Sequence, residues 1–419
     1  SLGSFSSLLR LDISMNRLGG VVPSELGDLR ILQVLDLSSC HLGGTLPNLF
    51  DGMSHLKVLN LQDNNFVGTL PSSLFTRTSL VSLRASWLPV VGTLPTQLGN
   101  LWQLVDLRMA GLQLVGTIPT TIGLLRALEV CALFDNQLTG ALPTEIADMK
   151  SLRVLSVAGQ HITALPPLLP DSIQAFSAYN NPISGTLPAS LLSLPNLQVL
   201  SLGKCRLSGA VPATVAVPSP SLSQLFLSHN LFSGPLPAFS DFPALSIIYL
   251  NDNRIEGTLP TAWGGLSTLQ VLDVSRNAIS GAIPSQFGRM VSLTTLDASA
   301  NSLVGTMPAD LGQLVGLQRL VLSHNRLDGG LPATFASLIN LQALDVSHNL
   351  LHARAEDFLE PLIASHINCR AASVALETRC TQPGLRDLRA SHNHIAGALP
   401  STLVELRQLV VLNLASNKL

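Results

Sequence analysis

The chain has 419 residues, a formal net charge of −2 and 12% charged residues, against about 25% in ordinary globular domains. This balance, without any Lys/Arg run, excludes an electrostatic nucleic-acid binder, and no stretch of about 18 uninterrupted apolar residues is present to span a bilayer. Such a length ordinarily makes two or three domains, yet one period runs through almost all of it.

A leading leucine falls at Leu8, Leu32, Leu56, Leu80, Leu104, Leu128 and Leu152, always 24 residues apart. It recurs at Ile173, Leu197, Leu222, Leu245, Leu269, Leu293, Leu317, Leu341, Leu385 and Leu409, which makes seventeen starts. The unit that begins at Leu269 shows the pattern. Leu269, Leu272 and Val274 are expected to point inward from a short strand, and Ile279 and Ile283 to fill the core. Gly281 permits a tight backbone and Pro284 suits an arc without regular helix. Asn277 falls at the turn, where a buried amide can satisfy backbone groups that would cost about 1–3 kcal/mol each if left unpaired. Asn takes this place in twelve units; Cys40, Cys205, Gln160, Leu88 and Leu112 take it in the others.

A period of 20–29 residues with the order L-x-x-L-x-L-x-x-N is the signature of a leucine-rich-repeat solenoid. The segments Leu138-Thr-Gly-Ala-Leu-Pro143, Ile183-Ser-Gly-Thr-Leu-Pro188 and Ile279-Ser-Gly-Ala-Ile-Pro284 resemble the plant-type repeats of receptor-kinase ectodomains and polygalacturonase-inhibiting proteins. They are similar too to repeats in surface antigens of kinetoplastid protists. The expected fold is an α/β-type solenoid of about 17 units: a superhelix with a parallel β-sheet on its concave face and a convex side mostly of loop and 3-10 turns. The resemblance covers residues 1–350 and 385–419. It implies only binding of a protein, peptide or glycan partner, and fold alone does not choose among partners; the residues themselves give no expectation of a cofactor.

The unit from Leu152 is only 21 residues long and carries Ala164-Leu-Pro-Pro-Leu-Leu-Pro170 in place of Gly-x-x-Pro, so a changed local curvature is expected. Between Leu341 and Leu385 lie 44 residues. The chain therefore divides into a solenoid at 1–350, a segment at 351–384 that is either an insertion or degenerate repeats, and a continuation at 385–419. The middle segment has a helical opening, Ala355–Ala364, and contains Cys369 and Cys380, which together form a candidate disulfide. Neither end carries the polar cap that a repeat array needs, and no signal peptide opens the chain, so a fragment of a longer protein is expected.

Cys40, Cys131 and Cys205 occupy repeat positions and are expected to be buried free thiols. None of the 22 asparagines begins an N-x-[ST] acceptor sequence. The resemblance implies an extracellular or cell-surface location, whereas free core thiols and missing acceptor sequences favour the alternative, an intracellular scaffold.

On this fold, partners meet concave strand positions that do not face the core. Aromatic residues are only 4% of the chain, so their placement is informative. Arg84, Trp87, Arg108, Phe134, Tyr179, Phe226 and Tyr249 are the candidate partner-binding residues, since aromatic and Arg side chains dominate interface hot spots. Strand-centre residues are expected to run Arg84, Arg108, Ala132, Ser156, Ser177, Ser201, Phe226, Tyr249: a basic end, a floor of small residues, an aromatic end. Ser-His-Asn recurs at His229, His324, His348 and His392; His324 and His348 are expected on consecutive strands, and His392 continues the row if the insertion loops out. The row is read as solvated positions, with metal binding or pH sensing as the alternative, and His348 is expected to end a strand. No nucleophile elbow, phosphate-cradling Gly loop or His-Glu-x-x-His motif is present, and no metal or catalytic residue is assigned.

Overall fold

A computed structural model describes residues 5–213, 215, 217–375 and 384–419, with side chains except at 368–375. The chain forms two compact units, Ser1–Arg206 and Leu207–Leu419. Each is built from the same coil.

In the first unit, nine three-residue strands run from Arg10–Asp12 to Val199–Ser201 and pair in parallel, each with the equivalent residues of the next repeat. In the second, eight strands run from Gln224–Phe226 to Val411–Asn413 in the same way. The register repeats because the strand contributes one inward residue. In Val271–Asp273 only Leu272 is buried, and Val271 and Asp273 stand on the open face of the sheet. Slipping by one residue would turn Leu272 to solvent, so register is strongly specified. Leu269, Val274, Ile279 and Ile283 are buried as the period predicts.

Asn277 ties neighbouring coils together. Its amide nitrogen donates to the carbonyls of Leu250 (3.0 Å), Val274 (3.1 Å) and Ser275 (3.1 Å), and its Oδ1 accepts from the Ile255 N–H (3.0 Å). Cys40 and Cys205 fill this place with thiols that donate to carbonyls, Cys40 Sγ lying 2.9 Å from the Ile13 oxygen, and the Cys205 sulfur also meets the backbone of Asn181 and Ile183. At Leu88 the amide is missing, and there the lateral strand pair Gly43–Thr45/Asn65–Val67 meets the lateral sheet that begins at Val91–Thr93 through a single isolated bridge, Gly68 to Val90.

Pro284 has the extended geometry, φ −66° and ψ 136°, that launches the 3-10 turn Ser285–Arg289, and Gly281 takes φ +76° where a Cβ would press on the Thr258 methyl at 2.8 Å. The 3-10 arcs of the second unit hide the large apolar rings. Trp263 is fully buried, stacks on Phe239 and Phe287 at 6.1 and 6.3 Å, and donates from Nε1 to the Pro237 carbonyl at 2.9 Å.

The two departures are absorbed in the arcs. Leu155 still pairs with Phe176 across the short unit, so the lost residues come out of the side away from the sheet. Strands Ala343–Asp345 and Asp387–Arg389 pair directly, and no further strand lies between them among the described residues. The long segment rises as helix α1, Ala355–Ala375, packed on the arcs Ala333–Ser337 and Ser401–Glu405 through Phe358, Leu359, Leu362 and Ile363. Among the described residues it stands where the other coils carry a 3-10 arc. Cys369 lies on the α1 backbone; its side chain and Cys380 fall outside the described residues, and so does the candidate disulfide.

Candidate functional site

The residue before each ladder position adopts the left-handed backbone conformation in every repeat. It is Met15, Ser39, Asp63, Trp87, Asp135, Asn180, Lys204, His229, Asp252, Arg276, Ala300, His324, His348, His392 and Ser416, with Gly111 and Gly159 in the remaining two. This turn ends each strand and aims its side chain along the rim of the open sheet face. The sequence expectation that His348 ends a strand is corrected: the strand stops at Asp345 and His348 sits on the turn, at φ 55°.

Trp87 is the least suited occupant of this row. Bulky residues rarely adopt φ near its +60°, and such strain costs about 1–3 kcal/mol. Its ring nonetheless lies flat over Gly111 of the next coil, where a Cβ would overlap the indole, and meets Phe134 edge-on at 6.0 Å. Trp87 is half exposed, at 50%. Gly111 is therefore part of the patch, and sequence reasoning missed it.

The candidate arginines stand beside this aromatic pair. Arg84 and Arg108 are register partners at the last residue of their strands, not at strand centres as expected from the sequence. The expected basic end carries a counter-ion. Both guanidiniums point their Nε at one carboxylate, Asp106, at 2.8 Å each, and Asp106 is only 14% exposed between them. Three side chains thus carry one net positive charge. Asp106 stands at an ordinary strand position, and nothing in the repeat marks it.

Phe134 and Tyr179 occupy equivalent places one repeat either side of Ala158. Tyr179 carries the Lys204 ammonium at 5.5 Å from its ring centre. In the second unit Phe226 and Tyr249 are register partners whose rings stack at 5.6 Å and 14°. The seven candidate residues therefore form two groups: Arg84, Trp87, Arg108, Phe134 and Tyr179 in the first unit, Phe226 and Tyr249 in the second.

The histidine row is continuous within the second unit. His324, His348 and His392 stack with ring centres 4.1 Å apart at both steps, because helix α1 leaves the strands in register. Desolvation, then the charges of His324 and His392, hold the His348 imidazole below its ordinary value, against an opposing pull from Asp345. Among the described residues no three metal-ligating side chains converge on one point. Cys40 and Cys131 are fully shielded from solvent, and burial pushes the Cys131 thiol up to about 12 and raises that of Cys205.

Parallel register, amide ladder and Gly-x-x-Pro arc define a leucine-rich-repeat solenoid. The chain is a leucine-rich-repeat protein with repeats of the plant type: family models described as leucine rich repeat match residues 243–303, and 7–29, 32–53, 55–76 and 316–338. Among solved structures it is similar to the plant peptide hormone receptor RGFR1 in complex with RGF2 (TM-score 0.68, 24% identity, 99% of this chain and 76% of that one). It is also similar to the Arabidopsis thaliana ectodomain of the membrane receptor kinase GASSHO1/SCHENGEN3 with CASPARIAN STRIP INTEGRITY FACTOR 2 (TM-score 0.65, 26% identity), covering 99% of this chain and 57% of that one. A third is the ectodomain of the Arabidopsis receptor kinase HAESA with a peptide hormone ligand (TM-score 0.64, 27% identity, 98% of this chain and 75% of that one). No curated protein matches the chain at the sequence level.

Proposed function

We propose that the protein is a non-catalytic recognition module that binds a peptide or protein partner on the open face of its sheet. The observation that carries this is Trp87. A half-exposed indole held in a left-handed turn, over a glycine and against Phe134, is costly to the fold and still leaves half its surface open. An exposed, rigid aromatic pair flanked by Arg84 and Arg108 has the composition of an interface hot spot. The peptide-bound receptor ectodomains of similar fold support the reading. They also favour an extracellular or cell-surface location over the intracellular alternative, which the buried reduced thiols Cys40, Cys131 and Cys205 support. Among the described residues no helix is long and apolar enough to cross a membrane.

A photo-crosslinking amino acid at Phe134 tests this on the intact chain. Crosslinks to a captured partner from position 134, and none from the lateral position Val304, are the expected result. Crosslinks from Val304 alone would refute it.

A further inference from the structure

The aromatic stack of the second unit ends beside two carboxylates. Phe226 and Tyr249 stack along the direction in which strands succeed one another, so the uncovered face of Tyr249 turns toward the next strand, Val271–Asp273. Its register partner there is Asp273, and the partner of Asp273 is Asp297. Each carboxylate spends Oδ1 on its own turn. Asp273 Oδ1 accepts from the Ser275 N–H (2.9 Å) and Oγ (2.6 Å), and Asp297 Oδ1 from the Ser299 N–H (3.0 Å) and Oγ (2.6 Å). Among the described residues no Oδ2 partner and no ion pair is found for either. The nearby basic side chains turn away: His229 and Arg276 both face Asp252, at 3.5 and 3.7 Å. Burial pushes the Asp273 carboxyl up, and Asp297 and Asp252 push it further. The side-chain oxygen of Asn251, two residues beyond Tyr249, is shielded from solvent and has no hydrogen-bond partner.

We infer that this slot takes a guanidinium group, presented by an arginine side chain of the partner, stacked on the free face of Tyr249 and held by the Oδ2 atoms of Asp273 and Asp297. The inference deepens the proposed function and rests on it. A planar cation continues the Phe226–Tyr249 stack and offers several N–H donors in one plane, which a compact ammonium does not. Two unneutralised carboxylates on adjacent strands, about 4.8 Å apart, repel each other until a cation lies between them. A neutral sugar would stack on the ring but leave that repulsion in place.

The chain has only two tyrosines, Tyr179 and Tyr249, so incorporation of 3-fluorotyrosine gives two fluorine resonances, assigned with Tyr179→Phe. The probe is the blocked tripeptide acetyl-Gly-Arg-Gly-amide, titrated into the intact chain. The expected result is a shift of the Tyr249 resonance with Tyr179 unmoved. The citrulline peptide, equal in shape but neutral, should bind about tenfold more weakly, as should the arginine peptide to Asp273→Asn or Asp297→Asn. Asn at either position keeps the acceptor for its serine, so the fold is retained. An unmoved Tyr249 resonance, an equal response to citrulline, indifference to both Asp variants, or an equal shift with a neutral glucan oligosaccharide would each overturn the inference. If the arginine peptide fails while the strand-face crosslinks stand, the guanidinium slot falls and the proposed function survives.

Discussion

At the scale of single residues, the ladder amide and the left-handed turn set what each position tolerates. Asn277 satisfies four backbone groups drawn from two coils. Asn277→Ala should lower unfolding stability by about 1–3 kcal/mol, the penalty of orphaned buried groups, measured by chemical denaturation. Cys40 is the converse: its thiol approaches carbonyls but offers no good acceptor, so Cys40→Asn should raise stability by about 1 kcal/mol in the same assay. An Asn column is legible in sequence because only a short amide meets the requirement. The left-handed row beside it is not legible, since Met15, Trp87, Lys204 and Arg276 give no composition signal for positive φ. Gly111 is its most informative member. Gly111→Ala adds a Cβ into the Trp87 indole and strains a φ of +64°. A changed Trp fluorescence spectrum together with a stability loss of about 1 kcal/mol or more is expected. An unchanged spectrum would mean that Trp87 does not rest on Gly111.

At the scale of elements, each repeat puts its constant part in the strand and its variation in the arc. The short unit and helix α1 both leave strand register intact, which is why the period survives a 21-residue and a 44-residue spacing. The helical opening at Ala355 is visible in the sequence; its extension to Ala375 and its seat on neighbouring arcs depend on tertiary packing and are not. Intact register also lines up His324, His348 and His392. The folded His348 imidazole titrates below its unfolded value of about 6.5, so the unfolded chain binds the proton more readily. The stability contribution is complete above about pH 6.5 and is lost as pH falls through the folded value. Thermal melts from about pH 7.5 to about pH 5 should show this loss, and His348→Asn, which suits the same turn, should reduce it. Equal acid sensitivity in the variant would exclude the histidine stack as its source.

At the scale of the molecule, two units share one coil and differ in what they expose. The first presents Trp87–Phe134 beside an Arg84–Asp106–Arg108 cluster, and the second presents Phe226–Tyr249 beside free carboxylates. The candidate residues were found by subtracting the repeat, because an exposed aromatic has no part in ladder or core. Their couplings were hidden: Asp106 lies 22 residues from Arg84, and Gly111 lies 24 from Trp87, separations that have meaning only after the coils stack. Partner recognition belongs to the open strand face. Its most direct test is the affinity of a captured partner for the wild-type chain, Trp87→Ala, Tyr249→Ala and the lateral control Val304→Ala. Affinity at least about tenfold weaker in one or both aromatic variants is expected, as for hot-spot truncation, with Val304→Ala unchanged. Unaltered affinity in both aromatic variants, with loss in Val304→Ala, would contradict it.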